Sequence, residues 1–195
     1  RNDLDVGILT FHCSDNFGAM LQAYGLRQAL HSHGIRAGIV RYEPPFLTGR
    51  HWFAPYVPPH GNRGYRRSAA ILCFHTLAHL RAPREFFLRR QNMRRFRMKY
   101  LVDKASPRSL FLPGLWRLSF RCYIVGSDQI WNPEITCGLR KAYFGAFKNK
   151  RKERVVAYAA SLGGTNLPSQ YDRTFSNLLR HLDAVSVREE GATSY

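Results

Sequence analysis

Short apolar runs alternate with longer amphipathic stretches along this chain. Val6-Gly7-Ile8-Leu9-Thr10-Phe11 reads as a buried strand. A helix is predicted from about residue 17 to residue 33. Ala19, Ala23, Leu26 and Leu30 share one of its faces at 4-3-4 spacing, and Gly34 suits its C-cap. Residues 35–42 form a second apolar run, stopped by Pro44 and Pro45. Strand, helix and strand within so few residues make a βαβ unit, whose crossover is expected to be right-handed.

The pattern then changes. Residues 43–67 are rich in proline and glycine, with Trp52, Phe53 and Tyr56 interleaved, and read as a flap or a variable excursion. Residues 68–80 look helical and apolar. His75 and His79 stand four apart there, a spacing able to ligate metal. No HExxH pattern and no third ligand accompany them, so a metal site is disfavoured. Residues 83–101 predict a strongly basic helix with Phe86, Met93, Phe96 and Tyr100 as its apolar stripe.

Beyond it, residues 122–125 read as a strand entering the dense polar turn Gly126-Ser127-Asp128-Gln129-Ile130-Trp131-Asn132-Pro133. Residues 154–160 are another buried strand, ending at Ser161-Leu162-Gly163-Gly164. A helix opened by Pro168 carries Tyr171, Phe175, Leu178, Leu179 and Leu182 on one side. A short strand over 184–187 leads into Arg188-Glu189-Glu190, which reads as a further helix start. Such alternation predicts an α/β fold, a Rossmann-like parallel sheet flanked by helices.

Parallel strands would open four loops on one edge: 12–18, 126–132, 161–164 and 188–189. Ligands bind at the carboxyl ends of strands in such sheets, so the candidate site lies there. Loop 12–18 precedes a helix N-terminus, where free N–H groups favour an anion or a sugar hydroxyl. It lacks the glycine patterns of dinucleotide and nucleoside-triphosphate loops. One of Ser14, Asp15 and Asn16 is expected to cap the helix instead of binding a ligand. Trp131 has two readings, a platform in the site or a plug in the core. Arg188 either pairs an anionic group or forms a local ion pair with Glu189.

Composition narrows the class. Hydrophobic residues are 45% and aromatics 13% of the chain, enough for a packed core. The 30 Lys and Arg against 13 Asp and Glu give a net charge of +17. Much of it falls in residues 61–121, where Glu85 and Asp103 are the only acids. That field favours anionic partners. The basic helix, from Arg84 to Tyr100, is either a solvated face around a packed stripe or a surface for anionic membrane. No nucleic-acid motif of defined spacing accompanies it, so a nucleic-acid partner is disfavoured. Cys13, Cys73, Cys122 and Cys137 form no CxxC pair, and reduced thiols in a cytoplasmic setting are expected. No apolar stretch is long enough to span a bilayer.

Three blocks carry a resemblance. They are Gly7-Ile8-Leu9-Thr10-Phe11-His12 running into Asp15-Asn16-Phe17-Gly18-Ala19-Met20-Leu21-Gln22-Ala23-Tyr24; Val125-Gly126-Ser127-Asp128-Gln129-Ile130-Trp131-Asn132-Pro133; and residues 156–163 continued by 183–190. In order and spacing they resemble the polysaccharide pyruvyl transferase family, the middle block most specifically. Residues 45–115 match nothing in it and would be a variable basic helical insertion.

The resemblance implies the N-terminal, Rossmann-like half of a GT-B-like enzyme, with residues 1–195 as one domain and a second half expected elsewhere. It implies transfer of a pyruvyl group from phosphoenolpyruvate to a saccharide hydroxyl, with that donor as substrate and no cofactor. The acceptor would be a free or lipid-linked saccharide, used in cell-surface polysaccharide synthesis at the cytoplasmic side, with the inner membrane face as a peripheral location. Asp128 is then the expected acid/base. Asn16, Gly18, Gln22, Gly126, Ser127, Gln129, Trp131, Asn132, Ser161 and Arg188 are the expected substrate-binding residues. A saccharide-binding relative without chemistry is the alternative, and a basic nucleic-acid-binding module a weaker one. Gly25 departs from the alanine more usual at its position in the family, at a small cost to the helix.

Overall fold

The computed structural model describes residues 4–44, 47, 83–102, 115, 118–147, 153–164 and 166–190. The elements in chain order are β1 (Val6–Leu9), α1 (Phe17–Ser32), β2 (Ala37–Ile39), α2 (Pro83–Phe96, continued by a π-helical turn over Arg97–Leu101), β3 (Cys122–Gly126), α3 (Pro133–Thr136), β4 (Arg154–Ala160), α4 (Asp172–Leu179) and β5 (Ala184–Val187). The region with His75 and His79, and most of the 45–115 insertion apart from α2, lie outside the described residues.

All strand pairs are parallel, and the sheet order is β2-β1-β3-β4-β5. From β1 the chain steps outward to β2, then returns across β1 to build β3, β4 and β5. This reversal leaves a topological switch point between β1 and β3, the crevice where doubly wound sheets take ligands. The α/β, Rossmann-like expectation is met.

Period-two alternation sorts the strand residues onto two cores. Val6 and Ile8 of β1 and Ala37 and Ile39 of β2 meet Met20 and Ala23 of α1 and Met93 and Leu101 of α2. Tyr123 and Val125 of β3 and Val155 and Ala157 of β4 point to the opposite face. There they meet Trp131, Phe144 and, from α4, Phe175 and Leu178. Of the predicted α1 stripe, Ala19 and Ala23 are buried, and Leu26 and Leu30 are partly buried. In the basic helix Met93 is buried but Tyr100 is exposed; the side chain of Phe86 lies outside the described residues.

β1 and β2 are shorter than their apolar runs. Past the ladder, Phe11 and Tyr42 turn onto Tyr143, with ring centroids 5.4 and 5.8 Å away in edge-to-face geometry. Aromatic packing therefore takes over where strand pairing stops. After β5, Arg188 and Glu189 form a bend and Glu190 enters 3₁₀-helical conformation, where the described residues end.

Helices α1 and α2 lie side by side and run in the same direction. Arg89 reaches Asp15 and Phe17, whereas Phe96 and Tyr100 pack on Tyr24, and Arg27 Nη1 donates to the Tyr100 carbonyl at 2.9 Å.

Two glycines should respond oppositely to alanine. Gly126 has φ 131°, and a Cβ there would fall on the carbonyl oxygen of Tyr158. Gly126→Ala is expected to lower unfolding free energy by about 2 kcal/mol or more. Gly25 is in the interior of α1 with nothing within 4 Å of an added Cβ. Gly25→Ala is expected to raise it by about 0.5–1 kcal/mol. Denaturant melts of the two variants check both signs.

Candidate functional site

The polar turn after β3 owes its shape to two consecutive residues at positive φ. Gly126 turns the chain against the β4 backbone, and Ser127, at φ 67°, donates its N–H to the Tyr158 carbonyl at 2.7 Å. Asp128 then sits beside β4. Its carbonyl accepts from Ser161 N at 3.1 Å, and the Ser161 carbonyl accepts from Trp131 N at 3.1 Å. This reciprocal pair fixes the β3 and β4 loops relative to one another.

The Asp128 carboxylate accepts the Gln129 N–H at its Oδ1, at 2.8 Å. Burial raises its pKa above the usual carboxylate value; the Gln129 amide and the charge of Arg188 act the other way without cancelling it. The result is a carboxyl with a raised proton affinity at a strand's carboxyl end, a property of acid/base groups.

Arg188 follows β5 and its N–H donates to the Ala160 carbonyl at 3.1 Å. Its Nη2 donates to Ser161 Oγ at 3.0 Å, and its Nε lies 3.6 Å from Glu189 Oε1. Ser161 Oγ donates to Glu189 Oε1 and accepts from Gly163 N at 3.0 Å. Of the two readings left open for Arg188, the local pair with Glu189 is present. The Arg188 side chain nevertheless keeps half of its surface in solvent, at 49%.

Gln129 and Asn132 are joined side chain to side chain, Asn132 Nδ2 donating to Gln129 Oε1 at 3.1 Å. Asn132 also caps α3, its Oδ1 accepting from Glu134 N at 2.9 Å, with Pro133 at the first helical position. A Cβ on Gly163 would strike both amides, so the β4 loop closes directly over them.

Trp131 requires a correction. It is 1% exposed, stacked on Phe144 at 5.3 Å and crossed edge-on by Phe175, with Nε1 donating to the Tyr143 carbonyl at 3.0 Å. An indole enclosed in this way has no face for a sugar. Of its two readings, the core plug is the one the structure holds, because the turn needs an apolar anchor.

Asn16, Gly18 and Gln22 form a second group, built on β1 and α1. Asn16 is the residue that caps α1, its Oδ1 accepting from Ala19 N at 3.2 Å. Gly18 is exposed beside it. Gln22 Nε2 donates to Thr10 Oγ1, the Phe11 carbonyl and the Ala19 carbonyl at 2.8–3.3 Å, tying α1 to the end of β1. The basic helix holds this loop as well. Arg97 Nη1 donates to the Cys13 carbonyl at 2.6 Å and approaches Asp15 at 4.0 Å, while Arg89 Nη2 donates to the Asp15 carbonyl at 3.3 Å.

Two groups near these loops were not among the sequence-based candidates. His12 is fully buried, with Nδ1 3.1 Å from the Thr10 carbonyl and Nε2 without a hydrogen-bond partner. That contact makes Nδ1 the donor of a neutral ring. Burial, aided by Arg97 and Arg41 and opposed by the Thr10 carbonyl and Glu43, pulls its pKa down to about 4. Tyr143 is also buried, and its hydroxyl has no hydrogen-bond partner. Burial above all holds that hydroxyl well above its usual pKa. The signal for His12 was a polar residue closing an apolar run; Tyr143 sits in an aromatic run that reads only as core.

Among the described residues, no group of three or more His, Cys, Asp or Glu side chains is placed to hold a metal ion. A family model described as polysaccharide pyruvyl transferase matches residues 16–193, most of the chain. No curated protein and no solved structure matches it.

The two titrating groups give opposite pH dependences. For His12 the folded pKa lies below the unfolded value, so stability present above about pH 6.5 is lost as pH falls toward 4. The loss amounts to about 3 kcal/mol, and His12→Gln is expected to remove most of that slope in melts across the range. For Asp128 the folded pKa lies above the unfolded one, so stability falls as pH rises through that interval. Asp128→Asn, which keeps the Oδ1 acceptor, is expected to melt at pH 7 no lower than the parent protein.

Proposed function

The chain belongs to the polysaccharide pyruvyl transferase family, and on that premise we propose that it moves the pyruvyl group of phosphoenolpyruvate onto saccharide hydroxyls, with Asp128 as acid and base. The observation that carries the proposal is the position and chemistry of Asp128. Its carboxyl has a raised proton affinity, stands at the carboxyl end of β3 and lies within electrostatic reach of Arg188.

Protonated Asp128 gives its proton to the methylene carbon of phosphoenolpyruvate, and a saccharide hydroxyl attacks C2. The Asp128 carboxylate takes up the proton which that hydroxyl releases. The C2–O bond to phosphate breaks, and a second hydroxyl attacks C2 to close a ketal. Its proton leaves with the phosphate. Acid/base catalysis of this kind contributes about 10²–10⁴ in rate. Arg188 is suited to the substrate carboxylate or the departing phosphate, both of which it can meet bidentately. Glu189 holds it both directly and through Ser161. Gln129 and Asn132, already paired, present an amide edge suited to sugar hydroxyls.

The acceptor in this reading is a saccharide carried on a lipid at the cytoplasmic membrane face. A second Rossmann-like half would complete the donor site.

Phosphate release from phosphoenolpyruvate, followed across free and lipid-linked saccharides, tests the reading. Saccharide-dependent release is expected, and Asp128→Asn should lower it by about 10² or more. Arg188→Gln should raise KM for phosphoenolpyruvate more than it lowers kcat. Undiminished release by the Asp128 variant would move the acid/base elsewhere. Failure to bind phosphoenolpyruvate at all would leave a saccharide-binding protein without this chemistry.

A further inference from the structure

The outer face shared by α1 and α2 combines two properties that seldom coincide on a water-facing surface. Among the described residues, eight large hydrophobic side chains are exposed, and six of them lie on these two helices or the π turn that ends α2. Phe17 is 62% exposed and Leu21, one turn on, is 56%. Phe87 and Leu88 are 64% and 45% exposed. Met98 and Tyr100 complete the set. Bare aromatic and aliphatic groups in this number mark a surface that meets something apolar.

The same face is cationic. Arg84, Arg94, Arg95 and Lys99 are exposed on α2 and its π turn, and the single acid there is Glu85. Around α2, Phe87 lies close in angle to Arg94, and Leu88 close to Arg84 and Arg95, so apolar and basic groups interleave on the water side. A folded protein partner would be expected to bring carboxylates in register with individual arginines. A bilayer with anionic headgroups meets both features at once, because the rings and aliphatic chains enter the acyl boundary while the guanidinium groups stay with the phosphates.

We infer that the α1–α2 face docks the protein peripherally on an anionic lipid surface. No described helix is long and apolar enough to cross a membrane, and the inferred docking is peripheral, through this face. The placement has a consequence for the site. Arg89 and Arg97 of this helical layer hold the Cys13–Asp15 loop by hydrogen bonds, and Phe17 stands next to the α1 cap. Docking would set that loop at the headgroup layer. The inference stands on the surface itself, whatever reaction the site performs.

Flotation of the purified protein with vesicles tests it. The protein should float with phosphatidylcholine–phosphatidylglycerol vesicles at low salt and stay behind with phosphatidylcholine alone. Raising salt should weaken partition, since exposed charges are screened. Phe87→Ser with Leu88→Ser, and separately Arg94→Glu with Arg95→Glu, should each weaken it about tenfold or more, with melting temperature held. These four side chains are exposed, so both variants should fold, and the comparison of vesicle compositions needs no variant at all. Three results would overturn the inference. One is no flotation with the anionic vesicles. Another is flotation that neither double substitution alters. The third is loss on charge reversal alone, which would assign the face to a soluble polyanion.

Discussion

The anchoring of Trp131 in the core is the constraint on which the site depends. A turn carrying Ser127, Asp128, Gln129 and Asn132 has every reason to sample many shapes in water. One indole, stacked on Phe144 and crossed by Phe175, removes most of that freedom. Its N–H is satisfied by the Tyr143 carbonyl, so burying it leaves no orphaned donor. The exchanged backbone bonds between Asp128, Ser161 and Trp131 then lock the turn to β4. Asp128 owes its raised pKa to this enclosure, and the same enclosure excludes Trp131 from any contact with ligand.

The fold was largely legible because its signals are local. Apolar runs gave the five strands of the described residues, and the spacing of Ala23, Leu26 and Leu30 in α1 pointed to the face that packs with Met93 and Leu101. Gly126 announces a sharp turn by residue type alone, whereas residue type left Ser14, Asp15 and Asn16 as candidates for the α1 cap that Asn16 makes. Signals that depend on tertiary partners did not show. Whether Trp131 faced ligand or core turned on Phe144 and Phe175, the latter from a helix some forty residues on. His12 and Tyr143 became notable only because each buries a polar atom, Nε2 and the hydroxyl, without a hydrogen-bond partner. The basic helix read as a charge distribution, whereas its arginines divide in the fold. Arg89 and Arg97 reach across to backbone carbonyls of the Cys13–Asp15 loop, and Arg94 and Arg95 are exposed to water.

The site itself has two differently built sides. On the β3–β4–β5 side, Ser161 is a hub that binds Glu189, Arg188 and Gly163, so charge is arranged around a buried hydroxyl. On the β1 side, Gln22 and the arginines of α2 spend their donors on backbone carbonyls, which shapes a loop more than it presents chemistry. Acid/base and anion-binding work belongs to the first side. The second side is a rim whose position follows the helices beneath it.

The pairing of β1 with β3 places the sheet's central seam between strands far apart in the chain. The connection between β2 and β3 spans residues 40–121, and both of its ends are pinned by strands flanking β1. Closing so long a connection carries an entropy cost that grows only with the logarithm of its length. A doubling adds about 0.6 kcal/mol. Related chains can therefore lengthen, shorten or rewrite this crossover at little thermodynamic cost while the carboxyl-edge loops stay in register. New surface chemistry, such as a helix dense in arginine, can enter this architecture by way of the crossover without disturbing the turn that carries Asp128.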